Sequence, residues 1–293
     1  MKNLISAISD RLSGKKDLPI GILGPYDNSA FKAILKAREA GWITPVILGK
    51  WPIEPEKNIE QLATDTGIGG IREQAWKMLK AGTLLALLHT GLLDQGLLSF
   101  IGALLPKDNN AAPSHVTLFR SLKGGRFILF TDTLFNRTPG LREKSCIVLN
   151  AAQLARKLRI REPKVAALAP IEIVNPSIPS TIDAAVLAKM SERGQLGNVI
   201  LEGPLAMDNA ESSDAAIHKG ILSPVPGDVD IYLFPDLESA LLSAQFVSLA
   251  GAIPTAECIL GTMWPVVINS GTGSVESWLC NIALGVLLAE DTT

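Results

Sequence analysis

The sequence predicts an α/β protein with a parallel sheet and right-handed crossovers. Three observations predict it. Short apolar runs of strand length alternate along the whole chain with stretches whose apolar residues recur at helical spacing. The second half of the chain repeats the alternation of the first. Apolar residues make up 47% and charged residues 19% of 293 residues, with a mean hydropathy of +0.27. That composition excludes disorder, and the length suits about two domains of roughly 150 residues each.

The elements follow in order. PIGILG (19–24) is a short buried strand, and 29–40 is helical, with Phe31, Ile34, Leu35 and Ala37 at turn spacing. ITPVILG (43–49) is the next strand, 74–81 a helix and 83–88 another buried strand. VTLFRSL (116–122) and RFILFTD (126–132) flank Lys123, Gly124 and Gly125, which is hairpin spacing. A long helix pattern covers 141–158. Strands then fall at 164–170, 198–204, 229–235, 257–261 and 265–270, with helices at 181–193, 208–219, 237–250 and 274–288.

Several function classes are excluded or disfavoured. Lys and Arg total 27 against 29 Asp and Glu, a net charge of -2, so no basic excess exists to neutralise a nucleic-acid backbone. Cys146, Cys258 and Cys280 are far apart with no CxxC pair, which fits a reducing compartment rather than a disulfide scaffold. The segment 84–105 is long enough to span a bilayer, but His89, Asp94 and Gln95 sit near its middle and three glycines interrupt it. An ionisable residue at the bilayer centre costs about 2.5 kcal/mol or more. A strand followed by a helix is the cheaper reading, and with no secretory-type leader in 1–24 a cytoplasmic protein without membrane contact is expected.

Ligands of such sheets bind outside the carboxyl ends of strands. The residues just past each strand are therefore the candidates: Tyr26 and Asp27, His89 and Thr90, Asp132, Glu172 and Asn175, Glu202 to Asn209, Asp236 and Glu238, and Ser270 to Ser274. Each has a plainer reading. Ser270-Gly-Thr-Gly-Ser274 could form an anion-binding nest at a helix N-terminus, or an ordinary turn with Ser274 as N-cap. Glu276 could touch a ligand or only complement the helix dipole. Asp208 and Asn209 could orient a substrate or cap the helix that begins there. Asp132 and Asn136 could act as a hydrogen-bonded hinge or touch substrate. A lone strand-end histidine such as His89 is more often structural than a base. His218 and Lys219 read as cations at a helix C-terminus, placed there for dipole reasons.

Several of these segments resemble the phosphate acetyl/butyryl transferase family. AALAPIEIVNPSIPSTIDAAVLAKMSERGQLGN is similar to the family stretch around VNPxMPSTxDAA, and LEGPLAMDNAESSDAAIHKGI to DGPLxxDNAxxxxAAxHKGI. PGDVDIYLFPDLES resembles GDADILLVPDIEA, and HT at 89–90, SHV at 114–116 and TDTLFN at 131–136 resemble HT, SHV and TDAAVN. The resemblance implies a fold like that of isocitrate and isopropylmalate dehydrogenases, two α/β/α domains around a cleft. The first domain would comprise 1–133 plus 266–293, and the second, carrying PLAMDNA, 134–265. It implies acyl transfer between coenzyme A and inorganic phosphate, with acyl-CoA or acyl phosphate as partner molecules and coenzyme A as substrate rather than cofactor. A homodimer or larger homo-oligomer is expected.

Carried over residue by residue, the resemblance assigns catalytic roles to Ser270, Asp208 and His89. It assigns substrate binding to Thr90, Asp132, Asn136, Asn209, Gly271, Thr272, Gly273, Ser274 and Glu276. No metal is expected, since Asp183, Asp208 and Asp236 do not reproduce a divalent-cation carboxylate cluster, and there is no dinucleotide GxGxxG. The chain also departs from the family pattern. The family's Lys-Gly pair before HT aligns with Leu85 and Ala86, and its Arg after HT with Gln95. Its C-terminal Ser-Arg-Ala-Asp-Ser aligns with Ser270 to Ser274, placing Gly271 where the Arg stands and Gly273 where the Asp stands. Arg126 and Arg137 are the nearest spare cations. These losses keep open a catalytically silent relative that binds an acyl-CoA, a phosphorylated ligand or a partner protein.

Overall fold

The computed structural model describes residues 3–12, 17–24, 27–49, 59–62, 67–91, 94–107, 112–121, 125–251, 253–269 and 273–289. In chain order the elements begin with α1 (Leu4–Ser9), β1 (Leu18–Leu23), α2 (Asn28–Glu39), β2 (Ile43–Leu48), β3 (Glu60–Leu62), α3 (Gly67–Lys80), β4 (Ala86–His89) and α4 (Gln95–Ala103). They continue with β5 (Ser114–Arg120), β6 (Phe127–Thr131), α5 (Leu141–Lys157), β7 (Lys164–Leu168), α6 (Pro179–Glu192), β8 (Ile200–Leu205), α7 (Met207–Glu211), α8 (Ser213–His218), β9 (Ile231–Leu233) and α9 (Leu237–Gly251). The last are β10 (Ala256–Leu260), β11 (Val266–Val267) and α10 (Val275–Ala289).

The chain divides into two compact units, residues 1–109 with 254–293, and residues 110–253. Both boundaries fall earlier than the expected 133 and 266, for a reason that local pattern does not carry. The β5–β6 hairpin is antiparallel within itself, but β6 pairs in parallel with β9, so the hairpin joins the second unit. Strand β10 pairs with β11, which in turn pairs with β4, so β10 joins the first.

In the first unit the strand order is β3-β2-β1-β4-β11-β10, parallel except for β10 against β11. Alternate residues of the strands, Ile20, Ile22, Ile43, Ile47, Ala86 and Leu88, meet the apolar stripes of α2 and α10 in one core. Helix α2 fits because Phe31, Ile34 and Ala37 share a face, while Asp27 caps it by accepting from Ala30 N at 2.6 Å. Gly21 is required by closeness, since a Cβ there would lie 2.8 Å from Leu84 and 2.9 Å from Leu87. The segment 84–105 forms β4 and then α4, as its composition demanded. Among the described residues no helix is long and apolar enough to cross a membrane.

In the second unit the order is β5-β6-β9-β7-β8, with β6, β9, β7 and β8 all parallel. Helices α5 and α6 pack on its strands, α5 against β5, β6 and β9, and α6 against β7 and β8. Another core gathers Phe119, Phe130, Tyr232 and Phe234 beneath α7 and α9. Phe130 is its centre, meeting Phe119, Tyr232 and Phe234 edge to face at 4.9, 5.3 and 5.0 Å. All four parallel strands therefore end on one edge, at Thr131, Leu233, Leu168 and Leu205.

His115 on β5 is fully buried, with Nδ1 2.7 Å from Thr133 Oγ1, and burial pushes its pKa down to about 3. The unfolded chain takes up that proton near pH 6.5, whereas the folded protein does not. Stability is therefore expected to fall from about pH 6.5 towards pH 3, by up to about 1.4 kcal/mol per pH unit from this group. Urea unfolding at a series of pH values checks it: His115→Gln should flatten the slope by nearly one proton. An unchanged slope would show that His115 titrates alike in both states.

Candidate functional site

The carboxyl edge of the second unit's strands carries a cavity of about 640 Å³. Its walls include Thr138, Lys144, Ser180, Asp183, Met207 and Asp236, from the loops and helix starts that follow β6, β7, β8 and β9. Lys144 is 5% exposed and holds Asp183 Oδ2 at 2.7 Å, tying α5 to α6. Asp236 turns the chain into α9 by accepting from Ser239 N at 2.8 Å and Ser239 Oγ at 2.9 Å. The NPSIPST segment is held by Thr181 Oγ1, which accepts from Asn175 N at 2.9 Å.

Next to Met207, the PLAMDNA segment starts α7 and brings four polar side chains together. Lys219 Nζ lies 3.0 Å from Asp208 Oδ2 and 3.4 Å from Glu172 Oε2. Asn209, fully buried, donates from Nδ2 to Glu172 Oε2 at 3.3 Å. The hydrogen bond from Lys219 holds the Asp208 carboxyl below its usual pKa. Glu172 is lowered first by its own backbone N–H, then by Lys219 and Asn209, against desolvation. Lys219 is raised, chiefly by Asp208. The sequence pattern marks Lys219 as a dipole cation, whereas the structure pairs it with Asp208 and Glu172. Its only signal was its place ten residues after Asn209, which the α7–α8 turn folds back.

Asp132 and Asn136 form a separate cluster. Asp132 Oδ1 accepts from His115 N, Leu134 N and Phe135 N, each at 3.0 Å, and Oδ2 accepts from Asn136 N at 3.0 Å and from Asn136 Nδ2. Asn136 Nδ2 also reaches Pro113 O at 2.8 Å. Burial raises the Asp132 pKa against the pull of these donors. Both residues are thus committed to shaping the turn after β6, which favours the structural reading. Of the spare arginines, Arg126 is held by Asp228 at the opposite end of β6, and Arg137 is exposed 4.0 Å from Glu238.

In the first unit His89 and Thr90 close β4, both buried. Thr90 Oγ1 donates to Leu23 O at 3.1 Å, and the His89 ring lies so close to Gly24 that a Cβ there would come within 3.2 Å. Gly24, at φ +107°, also turns the chain where an L side chain is strained. Asp94 caps α4 through Leu97 N and is gripped by both its oxygens by Arg72 Nη2 at 2.9 and 2.8 Å. Arg72, on α3, is a cation beside the Gln95 position that sequence spacing could not have brought there. Ser270, Gly271 and Thr272 lie outside the described residues. Gly273 is packed against the Trp278 indole, which a Cβ would strike. Ser274 Oγ accepts from Ser277 N at 3.1 Å, as an N-cap does, and Glu276 is exposed in the first turn of α10.

Burial raises the thiol pKa of Cys258, and that of Cys280 to about 12, so neither is a nucleophile near neutrality. Among the described residues no group of three or more His, Cys, Asp or Glu side chains has the arrangement of a metal site.

A family model described as phosphate acetyl/butaryl transferase matches residues 103–286. The phosphate butyryltransferase of Clostridium beijerinckii is 33% identical over 290 residues, covering 95% of this chain and 96% of that protein. The chain belongs to the phosphate acetyl/butyryl transferase family. The phosphate acetyltransferase of Rhizobium meliloti is likewise 33% identical, over 90% of this chain and 87% of its own. Among solved structures, a branched-chain phosphotransacylase from Enterococcus faecalis shares the fold at a TM-score of 0.81 and 24% identity, covering 93% of this chain and 99% of that one. A 4-hydroxythreonine-4-phosphate dehydrogenase from Klebsiella pneumoniae aligns at a TM-score of 0.52 and 12% identity over 94% of this chain. That second likeness fits the dehydrogenase-like α/β fold implied by the family motifs.

Two outcomes are expected. Asp132→Asn places an NH₂ group where the Asn136 donors point, leaving about two donors unsatisfied at about 1–3 kcal/mol each. Urea unfolding should show a loss of roughly 2–4 kcal/mol, and unchanged stability would show that the carboxylate is not their acceptor. Lys219→Met should raise the carboxyl pKa of Asp208 more than that of Glu172, read by carbon-detected NMR titration. Equal or absent shifts would dissolve the Lys219–Asp208 pairing.

Proposed function

We propose that this protein transfers a short acyl group between coenzyme A and inorganic phosphate. The observation that carries the reading is the PLAMDNA segment, which sets Asp208 and Asn209 against Glu172 and Lys219 at the carboxyl edge of the second unit's parallel strands. This is the edge where open α/β sheets bind ligands, and the family membership supplies the reaction. In one direction the thiol of coenzyme A attacks the carbonyl of an acyl phosphate; in the other, phosphate attacks the thioester. Negative charge gathers on carbonyl and phosphate oxygens in the transition state, so oriented donors and cations stabilise it. Asp208 is the carboxylate that the family motif offers as acceptor of the thiol proton. Its pairing with Lys219 keeps it ionised and lowers its basicity, so it becomes a stronger base when substrate displaces Lys219. Asn209 and the helix starts at the cavity supply donors. The family pattern also names Ser270, Gly271, Thr272, Gly273 and Ser274, with His89 and Thr90, as candidates for binding phosphate.

The reading carries a cost in rate. The resemblance places Leu85, Gln95 and Gly271 where the family pattern has Lys, Arg and Arg. Leu85 instead packs against the apolar core of the first unit. Arg72, Lys144 and Lys219, three described cations near strand ends, are each paired with a carboxylate. Losing two or three charge-assisted contacts at about 1.5–3 kcal/mol each lowers turnover by about two to six orders of magnitude at roughly 1.36 kcal/mol per decade.

Release of free thiol from acetyl-CoA and butyryl-CoA, with and without phosphate, tests the proposal. Phosphate-dependent release is expected, with kcat/KM below about 10⁵ M⁻¹s⁻¹. No phosphate-dependent release from either thioester would sink the transferase reading. A value above that bound would instead show that positive charge reaches the site from another group.

A further inference from the structure

Two cavities of the second unit meet at one side chain. The strand-end cavity of about 640 Å³ combines polar groups, Lys144, Ser180 and Asp183, with apolar walls at Leu168 and Phe234. Another, of about 750 Å³, is walled mainly by apolar side chains, among them Phe119, Phe130 and Ile253. Among the residues that line them, Met207 is common to both. Elsewhere the partition is core. Phe234 of the first cavity and Phe130 of the second, both buried, meet edge to face at 5.0 Å. On α9, Ser239 and Ser243 stand one turn apart and line one cavity each.

Met207 opens α7 and directly precedes Asp208. Its side chain is 41% exposed, whereas Leu205 and Ala210 on either side of it in sequence are buried. It therefore lines space rather than filling core. Methionine is unbranched, with three rotatable bonds, and shapes itself to what it touches. An acyl group reacting beside Asp208 keeps its carbonyl among polar groups and sends its alkyl tail to the nearest apolar wall, which is Met207. Consecutive Cα atoms lie about 3.8 Å apart, a distance that the three tail carbons of a butyryl group cover. The lone methyl of an acetyl group falls short of it. Each methylene moved out of water against such a wall adds about fourfold in affinity. A tail much longer than butyryl has to push Met207 aside to reach the apolar cavity behind it.

We propose that Met207 determines acyl-chain length. It is the end wall of an acyl site in the strand-end cavity, accepts an unbranched tail of butyryl size, and bars longer tails from the apolar cavity. The proposal rests on the acyl-transfer reading above. Calorimetric titration of the intact chain with acetyl-, butyryl-, hexanoyl- and octanoyl-CoA and with free coenzyme A tests it, beside phosphate-dependent thiol release for the same thioesters. The wild type is expected to bind butyryl-CoA about tenfold more tightly than acetyl-CoA, and octanoyl-CoA more weakly than butyryl-CoA. Met207→Ala joins the cavities, so octanoyl-CoA should gain about tenfold or more relative to butyryl-CoA. Met207→Trp thickens the wall and should bring the butyryl and acetyl affinities together. Met207→Leu, close in volume, should keep the wild-type order. Should Met207→Trp lose its circular-dichroism spectrum, Met207→Ala decides, since it shortens a side chain already in contact with water. An unchanged order in Met207→Ala overturns the proposal. So does an equal change for every thioester and for free coenzyme A, which would place Met207 against the pantetheine arm. Shifted affinities without phosphate-dependent release would uphold the acyl site and sink the transferase reading, whereas release with an unshifted order would sink this proposal alone.

Discussion

A buried carboxylate, Asp132, receives five N–H donations from four residues, and the second unit's functional edge depends on it. One of its donors is the backbone of His115 on β5, and the others come from the turn 134–136 that leaves β6. The two strands of the hairpin and the chain leaving them are thereby fixed to one point. Asn136 passes the constraint on to Pro113, and Asn150 on α5 repeats it through Ala112 O and Ser114 Oγ. With the start of α5 set, Lys144 reaches Asp183 on α6, and the wall of the strand-end cavity is in place. A buried polar network of this kind is favourable only when every member is satisfied. That requirement accounts for the shape of the turn that the TDTLFN residues make.

The same edge shows how charge is handled. Three described cations near strand ends are matched to acids: Lys144 to Asp183, Lys219 to Asp208 and Glu172, and Arg72 to Asp94. Lys219 and Asp94 sit in partial contact with solvent, where such pairs are weak and exchange partners readily. An incoming anion competes with a carboxylate for these groups rather than meeting a bare cation. Lys144, almost wholly buried, is not available on those terms.

Alternation of apolar runs and helical stretches made the α/β class legible, because strand burial on both faces writes continuous apolar runs such as ITPVILG. The hairpin was legible because Gly124 and Gly125 follow Lys123 between two such runs. The unit boundaries were not, since they rest on β6 pairing with β9 across a hundred residues. The strand-end residues were legible as a class, and Asp208 and Asn209 as a pair. Their partners were not. Lys219 looked like any cation closing a helix, and Glu172 and Arg72 acquire meaning only through side chains distant in sequence. The helix over 237–250 was legible, but which of its apolar residues stay outside was not: Leu242, Phe246 and Leu249 are exposed while Ala240 and Ala244 are buried.

The discontinuity of the first unit has a consequence for biosynthesis. Residues 110–253 are complete before β11 and α10 have been made, whereas the first unit waits for residues 254–289. At about 5–20 residues per second that wait is roughly 2–8 s. Throughout it β4 lacks β11 and offers an open edge, while Ile20, Ile22 and Leu88 lack the Trp278, Ile282 and Val286 cover of α10. The strands β1 and β4 are therefore adhesive until α10 emerges and seals them.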